Sequence, residues 1–174
     1  KILWLNITGG EFDKMMATRN FLRKTYTPFL LAVFMLASIF SKPDGHSGEL
    51  QDNTALDEKV RMFLENRKGT WHDWNIPYSD GKVLYNLILK NQYTKAMEIG
   101  TSTGLSAIWM AWALSKTGGK LLTIEIDEGR HKRALANFEA AGLSDYIEAR
   151  LASAHDLVAE LEGPFDFVFS DADK

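Results

Sequence analysis

The chain has 174 residues, room for one domain and not comfortably two, and its 45% hydrophobic and 25% charged content is that of a globular protein. A formal net charge of −3 excludes the basic footprint of a nucleic-acid binder. The lack of cysteine excludes a disulfide framework, a thiolate nucleophile and a zinc–thiolate site, so any metal must be held by oxygen or imidazole.

Residues 1–14 show no sustained periodicity and read as an upstream translated segment or an artefact. From Met15 or Met16 the composition changes: Arg19, Arg23 and Lys24 precede an apolar run over 28–40, with no acid between Met16 and Asp44. That run is shorter than the roughly 20 residues that span a bilayer, and its basic flank makes 15–41 a signal peptide or membrane anchor. The turn-rich stretch 42–52 is then a linker, and the folded part is 53–174. An exported or membrane-associated location follows, with a cytoplasmic one as the alternative.

Leu56, Val60, Phe63 and Leu64 recur at helical spacing over 53–67, with Asn53 as the N-cap. The loop WHDWNIPYSDGKVL leads into a second helix bearing Val83, Leu84, Leu87 and Ile88, with Ser79 or Asp80 as its cap. Strands at 96–99, 121–126, 147–151 and 165–169 then alternate with helices at 105–116, 127–141 and 155–161. Glycines punctuate them, Gly118 and Gly119 after one helix and Gly142 after the next. This alternation predicts an α/β protein with a doubly wound, Rossmann-like parallel sheet, whose ligands bind beyond the carboxyl ends of the strands.

The densest signal lies at 95–106, KAMEIGTSTGLS: a strand ending in Glu98, a turn containing Gly100 and Gly104, and a helix N-terminus. Glycine permits close backbone approach, and the unsatisfied first-turn N–H groups attract a negative ligand group. Glu125 closes the next strand 25 residues after Gly100, where an acid accepts hydrogen bonds from both hydroxyls of a ribose. The turn reads Gly100-Thr101-Ser102-Thr103-Gly104 and lacks the middle glycine of a dinucleotide fingerprint. A ribose ligand without a pyrophosphate fits better than a nicotinamide cofactor, and S-adenosylmethionine is the candidate. At the end of the fourth strand, Asp171, Asp173 and Lys174 form a set able to bind a hard cation and move a proton.

MEIGTSTGLS, LLTIEID and FDFVFSDADK, in this order and spacing, together with WNIPYSDGKVL, resemble the class I S-adenosylmethionine-dependent O-methyltransferases, in particular the metal-dependent catechol and caffeoyl-CoA group. The resemblance covers about residues 53–174. It implies that Ile76 contacts the cofactor from a gating loop and that Glu98 and Gly100 flank its methionine portion. The amides around Ser102, Gly104 and Ser106 would meet its carboxylate. Glu125 would bind the ribose, Ile126 would touch the adenine, and Ser153, Ala154 and His155 would form the adenine-side loop. Asp171 would ligate a divalent, magnesium-like cation close to the cofactor, and Lys174 would be the general base. The implied reaction is methyl transfer to a hydroxyl of a small, catechol-like acceptor.

The family's sheet has seven strands, and the four here are its first four. The chain as given is therefore expected to leave the fourth strand as an unprotected edge, to bind the cofactor weakly and to be inactive. A non-catalytic cofactor-binding or interaction module, pairing through that edge or as a homodimer, is the competing reading. A nicotinamide oxidoreductase is the third.

Overall fold

A computed structural model describes residues 3–5, 50–157, 161 and 164–171. The strands are β1 (Leu3–Leu5), β2 (Lys95–Ile99), β3 (Lys120–Glu125), β4 (Ile147–Leu151) and β5 (Phe167–Ser170). The helices are α1 (Thr54–Asn66), α2 (Tyr78–Asn91), α3 (Leu105–Thr117), α4 (Glu128–Ala141) and the single turn α5 (Ala154–Leu157).

One sheet is formed, in the order β1-β5-β2-β3-β4. β5, β2, β3 and β4 are parallel, as the alternation predicts, and β1 is antiparallel to β5. The expectation of an exposed fourth-strand edge is therefore corrected: Leu3↔Ser170 to Leu5↔Val168 pairing places β1 on it. No periodic signal in three residues announces a strand whose partner lies far along the chain. The segment 15–41 lies outside the described residues; among those described, no helix is long and apolar enough to cross a membrane.

Local signals set most helix ends. The Asn53 side chain accepts from the Leu56 N–H, and Asp127 accepts from the Arg130 N–H, each satisfying a first-turn donor. Gly118 and Gly142 close α3 and α4 in the left-handed region. At α2 the cap differs from expectation: Pro77 is the N-cap, so Ser79 and Asp80 fall inside the first turn and bond each other. Proline supplies no side-chain acceptor, but its restricted φ suits a helix start. The predicted helix at 155–161 begins one residue earlier, and α5 is described only to Leu157. β3 ends at Glu125, leaving Ile126 outside the strand.

Alternation along the strands divides the apolar residues between two faces. Ala96, Leu121, Phe167 and Phe169 pack with residues of α1 to α4 in the larger core. Met97, Ile99, Leu122 and Ile124 pack on the other face against Ala154, Leu157 and Leu161. α3 is buried from Leu105 to Ser115, and Gly81 lets α2 approach it, because a Cβ there would lie 2.2 Å from the Trp109 ring. The chain leaves β2 over one face and reaches β5 from the other, so the topological switch point lies between those two strands.

Candidate functional site

Neighbouring strand ends are tied together on the carboxyl edge by backbone hydrogen bonds. The Gly100 N–H donates to the Ile124 carbonyl at 2.9 Å, the Asp171 N–H to Ile99 at 3.0 Å, and the Ala152 N–H to Glu125 at 2.9 Å. The glycine turn and Asp171 thus meet at the switch point, where open parallel sheets bind ligands, and Glu125 and the loop after β4 continue the same carboxyl edge beside it.

Within the turn, Gly100 and Gly104 have φ of 95° and 96°, and Ser102 adopts φ 50° without being glycine. Gly104 is required for a reason different from ligand approach: a Cβ there would lie 2.5 Å from Phe138 Cε1 on α4. Thr101, Ser102 and Thr103 are buried. The Asn137 side chain donates to the Thr103 carbonyl at 2.8 Å, fastening the turn to α4.

Glu125 is buried, and its carboxylate accepts three backbone N–H groups. Oε2 takes that of Ser102 at 2.7 Å; Oε1 takes those of Ile126 at 3.0 Å and Asp127 at 2.9 Å. Charge-assisted bonds of this kind hold the carboxylate at the mouth of the turn. Glu98, which the resemblance has flank the methionine portion of the cofactor, is fully buried beneath the turn. Ser106 Oγ donates to its Oε1 and Thr123 Oγ1 to its Oε2, both at 2.5 Å. Burial pushes the Glu98 carboxyl up to about 7 against the opposing pull of these hydroxyls, with Asp171 and Glu125 adding to the rise.

The loop before α2 lies on the turn. Asn75 Nδ2 donates to Thr103 Oγ1 at 2.8 Å, the Leu105 N–H reaches Asn75 Oδ1 at 3.4 Å, and Ser102 Oγ bonds the Asp73 carbonyl. Arg133 of α4 pairs with Asp73 at 3.0 Å. Asp73 and Trp74 both take positive φ, 63° and 64°, a strained pair for non-glycine residues. Ile76 is packed in the larger core, while Trp74 is 77% exposed. Asp73, Asn137 and Arg133 carried no motif signal, and Thr101 and Thr123 lie within the motifs with no role assigned to their side chains; only proximity in the fold shows what they do.

Ile126 is 74% exposed beside Leu151 at the ends of β3 and β4. Ser153 accepts from the Asp156 and Leu157 N–H groups at the start of α5, Ala154 is half-buried, and His155 is exposed. Asp171 is exposed at the switch point. Asp173 and Lys174 lie outside the described residues. Among those described, no group of three or more His, Asp or Glu side chains is placed to hold a metal ion. Two surface cavities lie away from this edge. One, of about 460 Å³, lies between α1 and α4; the other, of about 530 Å³, lies beside Lys120 and Ile147.

A family model described as O-methyltransferase matches residues 45–174. The chain is 40% identical over 100 residues to a catechol O-methyltransferase of Niastella koreensis, covering 55% of this chain and 45% of that protein. It is 36% identical over 111 residues to caffeoyl-CoA O-methyltransferase 1 of Eucalyptus globulus, covering 59% and 45%. The chain thus spans about half the length of the curated relatives it matches. Among solved structures it is similar to an O-methyltransferase from Bacillus cereus in complex with SAH, with 32% identity, a TM-score of 0.56, and 71% of this chain and 56% of that one covered. It is likewise similar to the O-methyltransferase TomG from Streptomyces achromogenes in complex with SAM, at 31% identity and TM-score 0.55, covering 71% and 55%.

Proposed function

The chain belongs to the O-methyltransferase family, and on that premise we propose that it binds S-adenosylmethionine at the carboxyl edge of the sheet for methyl transfer to a hydroxyl of a small, catechol-like acceptor. The observation that carries this reading is Glu125: a buried carboxylate at the end of β3, bonded to the glycine turn through Ser102 at 2.7 Å. Its three N–H partners leave acceptor capacity on Oε2, which a ribose hydroxyl can fill. Ser102, in place of a middle glycine, uses its hydroxyl to hold the Asp73 carbonyl over the turn. That supports a ribose ligand without a pyrophosphate over a nicotinamide dinucleotide.

When bound, S-adenosylmethionine supplies an electrophilic methyl group on a sulfonium sulfur. The protein's part is to hold an acceptor oxygen in line with that methyl and to exclude water. The first turn of α3 directly follows the glycine turn, and its N–H groups would receive the carboxylate of the cofactor. The exposed surfaces of Ile126 and Leu151 offer an apolar rest for a purine, beside the loop of Ser153, Ala154 and His155. Lys174 is the proposed base for the acceptor hydroxyl. Asp171 is the expected ligand of a divalent cation; among the described residues no group of three or more His, Asp or Glu side chains is placed to hold one, and no step is assigned to a metal.

Isothermal titration of the chain with S-adenosylmethionine, S-adenosylhomocysteine and NAD tests the reading. Saturable binding of the first two with none of NAD is expected. No heat with either adenosyl compound, or tighter binding of NAD, would refute it.

A further inference from the structure

A polar side chain in the middle of a buried strand costs free energy unless it is paired. β3 reads KLLTIE and is buried from Leu121 to Glu125, with Thr123 fully buried among apolar neighbours. Thr123 stands directly opposite Glu98 in the parallel register of β2 and β3. With Glu98 ionised, it donates its only proton to Glu98 Oε2 at 2.5 Å, and the bond between Thr101 and Thr123 then has Thr101 as donor. Ser106 donates to the other oxygen of Glu98. The result is a directional chain, Thr101 to Thr123 to Glu98, met from the far side by Ser106. It joins the first residue after Gly100 to the first turn of α3 through two strands.

We propose that Thr123 is a positioning residue of the cofactor cradle, its hydroxyl clamping Thr101 to Glu98 so that the glycine turn and the first turn of α3 keep one fixed spacing. The proposal rests on the cofactor reading above. Thr101 is gripped twice by adjacent residues of β3, through its backbone N–H to the Ile124 carbonyl at 3.3 Å and through its hydroxyl to Thr123. Its own carbonyl accepts the Gly104 N–H at 2.9 Å, which closes the turn. Ser102, whose N–H meets Glu125, is the next residue along. Releasing the Thr101 side chain therefore loosens the peptide units that would face the ligand, while Glu125 and the outer loop stay untouched. Geometric precision of this order is what a bound ligand reads as affinity.

The test is titration of the full chain with S-adenosylhomocysteine, comparing wild type with Thr123→Val, Thr123→Ser, Thr101→Val and the double valine variant. Valine keeps the volume and removes the hydroxyl; serine restores the hydroxyl with less packing. About tenfold weaker binding is expected for each valine variant, within about twofold of wild type for Thr123→Ser, and no further loss in the double variant beyond either single one. Wild-type affinity in Thr123→Val, serine as weak as valine, or fully additive losses would overturn the proposal, because each is the signature of packing alone. Should Thr123→Val fail to fold, Thr101→Val and Thr123→Ser decide between the same outcomes. A wild-type chain that takes up no S-adenosylhomocysteine would remove the cofactor reading and this proposal together. Wild-type binding with an unaffected Thr123→Val removes this proposal alone.

Discussion

The Glu125 carboxylate accepts the Ser102 N–H at 2.7 Å, linking the end of one strand to the turn that follows its neighbour. Ser102 at φ 50° is held in a conformation that non-glycine residues rarely adopt, and this bond is one of the forces holding it there. Glu125→Gln keeps the volume but offers one acceptor oxygen and turns an amide group toward backbone donors. We expect a loss of about 1–3 kcal/mol in urea unfolding, with weaker binding of S-adenosylhomocysteine. Unchanged stability would mean that the three N–H groups are satisfied without the carboxylate.

The buried Glu98 makes stability depend on pH in a stated direction. Its carboxyl titrates near 7 in the fold, against an ordinary 4.5. Between those values the folded state carries more protons than the unfolded one, so stability falls as pH rises from about 4.5 to about 7 and then levels. The full effect is up to roughly 3 kcal/mol. Melting temperatures of wild type and Glu98→Gln measured across this window should show a falling trend in wild type that the glutamine variant lacks; parallel curves would contradict the assignment.

Asp57 ties α1 to α3. Lys116 Nζ lies 2.6 Å from its Oδ2 and Trp112 Nε1 donates to Oδ1 at 2.7 Å, with the ion pair's side chains only 18% and 13% exposed. Burial raises the Asp57 pKa, but the Lys116 and Trp112 hydrogen bonds and the nearby cations outweigh it, so the net shift is downward. The associated stability is present above the ordinary value of 3.8 and is lost as pH falls through the lower folded value. Asp57→Ala leaves an amine and an indole N–H underpaired and should cost about 2–4 kcal/mol. Asp57→Asn, which keeps an acceptor for Trp112, should cost less. Chemical denaturation ranks the two.

Gly104→Ala meets two obstacles at once, a φ of +96° and the Phe138 ring 2.5 Å from the new Cβ. The expected penalty is roughly 2–4 kcal/mol, read as a lower melting temperature. Combining it with Phe138→Leu should recover the steric part only. Full recovery in the double variant would show that the backbone conformation carries no cost.

The elements of the fold were legible because their signals are local. Asn53 and Asp127 cap, Gly118 and Gly142 terminate, and the apolar runs of β2, β3 and β5 alternate with the helices, each readable within a few residues. Glu125 and the Gly100 turn were legible as a pair for the same reason, since spacing along a βαβ unit is itself a local regularity. Sequence by itself therefore determined the α/β class and the order of the motifs along the carboxyl edge. Only the tertiary structure decided that β5 docks beside β2 and brings Asp171 to Ile99, that β1 pairs with β5, and that Asn75 and Asp73 bind the turn. It also decided that Glu98 joins a buried chain of hydrogen bonds through Thr123 to Thr101. These contacts join residues far apart in sequence, and the hydrogen bonds that specify them have no periodicity; they exist only after the strands have chosen their neighbours.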